Sequence, residues 1–236
     1  MGLLTLYIIA LEVFAAIYAS RHKWVARVML WCMAAFMLAY QIYYYVTYPT
    51  SMPIAFSTFT YFLFGIAVFL PVRPFKTVAA FCSVVAGGMY LSAFIFFPDT
   101  IYARQPEEAT RMIGYLLHHV LLCGALLLYS QYRVKKIDIA FILAFVAFIV
   151  VYVEVAVHVF QNVNTNNTTV GIIEATVIQL IAPEFVIKWW WYVLWYPFVG
   201  AVIWGLWELT SFINRRLLRH TNVKASENTK GDEQIV

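Results

Sequence analysis

Residues 138–160 read DIAFILAFVAFIVVYVEVAVHVF, a run whose charged side chains are Asp138 and Glu154. As a helix it would rise about 35 Å at 1.5 Å per residue, enough to cross a hydrocarbon core of about 30 Å. Arg133, Lys135 and Lys136 stand immediately before it. Working outward, comparable apolar stretches recur at residues 2–19, 24–46, 53–71, 76–97, 112–130 and 188–213. Together they predict an all-α polytopic membrane protein with seven transmembrane helices. The composition agrees. Of 236 residues, 63% are hydrophobic and 12% charged, which no ordinary soluble domain matches.

Charge supplies the orientation. Arg21, Lys23 and Arg27 connect stretches 1 and 2, Arg73 and Lys76 connect 3 and 4, and the Arg133 group connects 5 and 6. Arg215, Arg216, Arg219, Lys224 and Lys230 follow stretch 7, leaving Arg104, Arg111 and Lys188 on the other side. A thirteen-to-three split puts the odd connections and the C-terminus in the cytoplasm and the N-terminus outside. The net charge of +4 thus reports topology, and no nucleic-acid partner is expected. The chain divides into a membrane domain over 1–220 and a polar tail, 221–236, expected to be disordered. The first stretch lacks a basic leader region and a small-residue cleavage site, so it is expected to be retained. The expected location is a bacterial cytoplasmic (plasma) membrane, or the endoplasmic reticulum in a eukaryote. Only in a eukaryote would the Asn166 and Asn167 sequons matter.

Several features read as packing. Ala79, Ser83 and Gly87 form a small-residue stripe that lets another helix approach closely. Cys32, Cys82 and Cys123 fall inside apolar stretches, without zinc or disulfide spacing. Lys188 to Tyr192 fit an interfacial aromatic belt. Residues 171–187 hold Glu174, Gln179, Pro183 and Glu184, too polar to span, and read as an interfacial helix over the outer mouth.

Ionisable residues inside spans are costly and mark function by default. Measured from the outer end of each stretch, Ser57 lies about 6 Å down, Thr60 about 10 Å, and His118 and His119 about 10–12 Å. Glu154 lies about 10 Å down and His158 about 5 Å. Hydroxyls, imidazoles and a carboxylate therefore converge on one level of the outer leaflet, with Gln41 and Tyr43 to Tyr45 near them. Glu154 and His158, four apart, share a helix face, and a carboxylate there can fix the imidazole tautomer. A histidine beside a hydroxyl is the minimum that makes Ser or Thr a nucleophile. The plain alternative is that these groups only hydrogen-bond helices together or line a water-filled cavity. No metal is expected, because adjacent histidines point about 100° apart and no His-Glu-x-x-His run occurs. Cys123, four residues after His119, ranks behind the hydroxyls. Glu208 is expected to pair with Arg215, Arg216 or solvent, and Glu12, near mid-membrane, has no evident partner.

Phe56-Ser57-Thr58-Phe59-Thr60, followed some sixty residues later by Leu116-Leu117-His118-His119-Val120, resembles the androgen-induced-protein family. Its members are multi-helix membrane hydrolases that cleave fatty-acid esters of hydroxy fatty acids with a catalytic Thr and His. The resemblance implies a nucleophile at Thr60, with Thr58 and Ser57 as register alternatives, and a base at His119 or His118. A related YwaF-like, phospholipid-remodelling acyltransferase branch is also similar. This chain has Ala55 and Ser57 where that branch has His and Cys, which speaks against a thiol mechanism. The expected function is an intramembrane lipid-ester hydrolase or acyl transferase, with Glu154 and His158 in support and no cofactor. Its expected partners are the bilayer and a membrane lipid or fatty-acid ester. The alternatives are a transporter or channel subunit with a Glu/His relay, or an accessory structural membrane protein.

Overall fold

A computed structural model describes residues 2–48, 56–160 and 190–232, with side chains described except at 100, 104, 153–154, 156–160, 190–196 and 219–232. The described residues form eight helices and no strand: α1 (Gly2–Ser20), α2 (Lys23–Thr47), α3 (Phe56–Phe69), α4 (Arg73–Phe96), α5 (Pro98–Arg104), α6 (Glu108–Tyr129), α7 (Asp138–Phe160) and α8 (Trp190–Asp232). Four of them, α1, α2, α4 and α6, are long and apolar enough to cross a membrane. This is an integral membrane architecture. Phe56–Phe69 and Asp138–Tyr152 are shorter apolar helices.

Two elements differ from the hydropathy reading. Residues 98–104, assigned to a connection, form α5, which starts with Pro98 in its first turn and carries Asp99 there. Both favour a helix start, since proline lacks an N–H that would be orphaned anyway and a carboxylate complements the dipole. α6 begins at Glu108, four residues before the apolar stretch at 112. Hydropathy marks where lipid begins, whereas Glu107 and Glu108 mark where the helix begins. In α8 the helix continues through residues 221–232, where polar composition favours a disordered tail. Residues 171–187, Lys188 and the Asn166/Asn167 sequons lie outside the described residues.

Cross-helix contacts fix the directions. Tyr115 donates to Thr5 and His119 to Glu12, so α1 and α6 run parallel. Tyr61 meets His118 and Phe64 meets Gly124, so α3 is parallel to α6 as well. Phe94 packs on Tyr115 while Gly87 abuts His118 and Leu122, so α4 runs the opposite way. A Cβ on Gly87 would lie 2.9 Å from the His118 carbonyl oxygen and 3.2 Å from the Leu122 nitrogen. The stripe of Ala79, Ser83 and Gly87 is buried, and at Gly87 it brings the α4 and α6 backbones together.

The α1/α2, α3/α4 and α6/α7 connections gather at one end, together with Asn214 of α8, and this basic end is tied by buried polar contacts. Arg73 pairs with Asp138 at 3.0 Å, and Thr77 and the Lys135 backbone N–H also donate to Asp138. Buried Asn214 donates to the Tyr129 and Tyr132 carbonyls at 2.6 and 2.8 Å and accepts from the Val134 N–H at 3.1 Å. Burial pushes the Tyr132 phenol well above its ordinary range, so it stays protonated. Ala16, Ala19, Leu30, Ala34, Met37, Phe64, Leu121 and Leu128 fill the main core. Phe14, Tyr18, Phe96 and Met112 point outward from apolar helices, as lipid-facing residues do.

Candidate functional site

The site forms where α1 and α6 run side by side. Glu12 stands ten residues into α1 and His119 eleven into α6, about 15 and 16 Å along their helices. A lone carboxylate at that depth must find a partner, because lipid offers none. His119 provides it. Its Nδ1–H donates to Glu12 Oε2 at 2.8 Å. The histidine is 4% exposed, and Nε2 is buried with no hydrogen-bond partner among the described residues. A carboxylate only accepts, so Nδ1 carries the hydrogen of this bond and the ring is held in one orientation. Tyr115 packs its ring against His119 at 4.3 Å between centroids, and its hydroxyl is anchored on Thr5.

Above this pair is a cavity of about 810 Å³ walled by Leu4, Ile8, Phe94, Met112, Ile113, Tyr115 and Leu116, with Glu12 and His119 at its inner end. Tyr102, Glu108 and Arg111 stand at the α5 end. Arg111 donates to the Gln105 and Pro106 carbonyls at 2.6 Å, and its guanidinium lies 4.7 Å from the Tyr102 ring centroid. Leu4, Met112 and Leu116 are all more than half exposed, so the cavity opens sideways between α1 and α6. Its size and apolar walls suit a small-molecule ligand with a long apolar portion.

The neighbouring histidine turns the other way, as the 100° step between successive helical residues requires. The His118 Nδ1–H donates to the Gly114 carbonyl at 2.6 Å, which can only accept, so Nε2 is the acceptor for the Tyr61 hydroxyl at 3.3 Å. Its ring stacks on Tyr90, with centroids 3.8 Å apart and planes 7° from parallel, and Tyr90 is held by Gln105. His118 is thus committed on both nitrogens and on one face. These contacts tie α3 and α4 to α6 at this level.

On α3, Thr60 and Ser57 take partners within their own helix. Thr60 is fully buried and donates to the Phe56 carbonyl at 2.8 Å, a bond within its own helix. The Ser57 side chain approaches the Tyr61 phenol, and Thr58 is half-buried. Among the described residues no hydrogen bond joins Ser57, Thr58 or Thr60 to His118 or His119; the α3 residue that reaches a histidine is Tyr61. The side chains of Glu154 and His158, on α7, lie outside the described residues. Gln41 is buried and Glu208 exposed. Among the described residues no three His, Cys, Asp or Glu side chains converge as metal ligands would. Cys123 is buried and unpaired.

Sequence reasoning singled out both histidines, expected an α3 hydroxyl beside them, and missed Glu12 as the partner of His119. The available signal was depth. Counting α6 from Glu108 instead of Arg111 sets His119 level with Glu12. Comparison with known proteins adds nothing to this geometry: no family model, curated protein or solved structure matches the chain.

Proposed function

We propose that the chain is a seven-span membrane protein, basic end in the cytoplasm, that hydrolyses or transfers the acyl group of a lipid ester. The observation behind this reading is the Glu12–His119 pair at the inner end of a cavity that is apolar and open sideways. The alternating helix directions and the gathering of the basic connections at one end support the topology. The resemblance of residues 56–60 and 116–120 to the androgen-induced-protein family supports the substrate class.

In this reading His119 Nε2, once uncovered to the cavity, takes a proton from a water or a lipid hydroxyl there, and the freed oxygen attacks the ester carbonyl carbon. The imidazolium, balanced by the Glu12 carboxylate, then returns the proton to the departing alkoxide. Water yields acid and alcohol, and a lipid hydroxyl yields a new ester. Thr60, the nucleophile implied by the resemblance, would first have to give up its bond to Phe56. Turnover of a lipid-ester panel by purified protein tests both parts. His119→Ala should lower the rate about 10²- to 10⁴-fold, while Thr60→Ala should leave it within a few-fold. Unchanged turnover in His119→Ala overturns the base. An acyl label mapped to Thr60 in the wild type transfers the attack to that residue.

The mid-span carboxylate–imidazole pair also favours a second reading, a proton or ion relay in a transporter or channel subunit. The Arg73–Asp138–Thr77 cluster supplies polar groups toward the basic end. This reading prevails if the folded protein turns over no ester while Glu12→Gln changes proton flux into liposomes.

A further inference from the structure

At the basic end, away from the Glu12–His119 site, α2, the end of α3 and the start of α4 enclose a second cavity of about 500 Å³ lined by Arg27, Lys76, Gln131, Leu30, Trp31 and Phe69 among others. Its lining holds two cations and no carboxylate. Arg27 and Lys76 are near enough to repel each other, and among the described residues neither forms an ion pair. Two like charges held across a cleft without a counter-charge destabilise each other, and an anion between them removes that cost. Lys76 also sits in the first turn of α4, where the helix dipole adds positive potential. Gln131 offers an amide that can donate to the same anion.

The remaining walls argue for which anion. Trp31 and Phe69 are 43% and 53% exposed beside the charges, on helix faces that continue into the apolar surface of the bundle. A free inorganic anion would gain nothing from them. An anion carrying acyl chains would lay those chains along this surface while its head met Arg27 and Lys76. We infer that this cleft binds the headgroup phosphate of an anionic phospholipid from the leaflet at the basic end. Charge complementarity selects the phosphate, and the adjoining aromatic wall selects the lipid.

The test uses the full chain purified in a mild detergent and exposed to phosphatidylglycerol or phosphatidylcholine, with retained lipid counted by native mass spectrometry. The wild type should retain phosphatidylglycerol preferentially. Arg27→Gln, a change at an exposed position, should weaken retention about fivefold, and adding Lys76→Gln should weaken it by about as much again. The charge-preserving exchange Arg27→Lys with Lys76→Arg should retain the lipid, which guards against a folding defect as the explanation. Millimolar inorganic phosphate should fail to displace it. Equal retention of both lipids, or full retention by the neutral double variant, overturns the site. Displacement by inorganic phosphate overturns the lipid as its occupant.

Discussion

At the scale of single residues, the two adjacent histidines have different partners because one helix step turns them to different neighbours, and the proposed chemistry gives them different duties. His119 has a carboxylate on Nδ1 and an unpartnered Nε2, while His118 is satisfied by Gly114 and Tyr61 and stacked on Tyr90. Two substitutions separate these duties. Glu12→Gln keeps an acceptor for Nδ1–H but removes the charge that balances an imidazolium. It should lower ester turnover sharply while thermal unfolding in detergent moves little. Tyr61→Phe removes a neutral hydrogen bond worth about 1 kcal/mol. It should lower the unfolding temperature slightly and leave turnover within about twofold. Loss of turnover in Tyr61→Phe would move the chemistry from His119 to His118. That the histidines were functional candidates was legible in the sequence, since two imidazoles in an apolar run demand a reason. That Glu12 belonged to one of them showed only as a match in depth once the start of α6 is known, because 107 residues separate the pair and the packing of α1 on α6 brings them together.

At the scale of elements, the contact of α4 with α6 holds His118 in place, and it rests on the absence of a side chain at Gly87. Alanine is the better helix former by about 1 kcal/mol, so on propensity alone Gly87→Ala should stabilise. The His118 carbonyl oxygen, 2.9 Å from the would-be Cβ, cannot yield without moving α6. Gly87→Ala should therefore cost about 1–3 kcal/mol, as overpacking does, and read as a lower unfolding temperature. Gly88→Ala, next door with nothing within 4 Å, should be neutral or mildly stabilising. Equal effects at the two positions would mean that the close approach is not what matters. The small-residue spacing made this contact legible in advance. The start of α6 and the existence of α5 were hidden, because a hydropathy scan sees apolar length and is blind to helical turns that lie outside it.

At the scale of the whole molecule, the Lys and Arg residues and the helix directions point to the same threading. A cysteine introduced at Asn164 should react with an impermeant thiol reagent added outside intact cells, and one at Ser226 should react only after permeabilisation. Both belong in a background lacking Cys32, Cys82 and Cys123, because Cys32 is exposed. The reverse pattern would invert the proposed orientation and move the Glu12 cavity to the other leaflet.

Glu12 and His119 belong to the first and the sixth helix of the chain. During synthesis α1 reaches the membrane long before the residue that compensates its carboxylate has been made. In the proposed membrane reading, Glu12 lacks its His119 partner until α6 enters beside it, so α1 alone is expected to be held less firmly. A chain truncated before α6 should leave α1 loosely held, open to extraction by alkaline carbonate and to quality-control proteolysis, whereas Glu12→Leu in the same truncated chain should anchor it. On this reading, the pair proposed for the chemistry would also tie the anchoring of α1 to the arrival of α6.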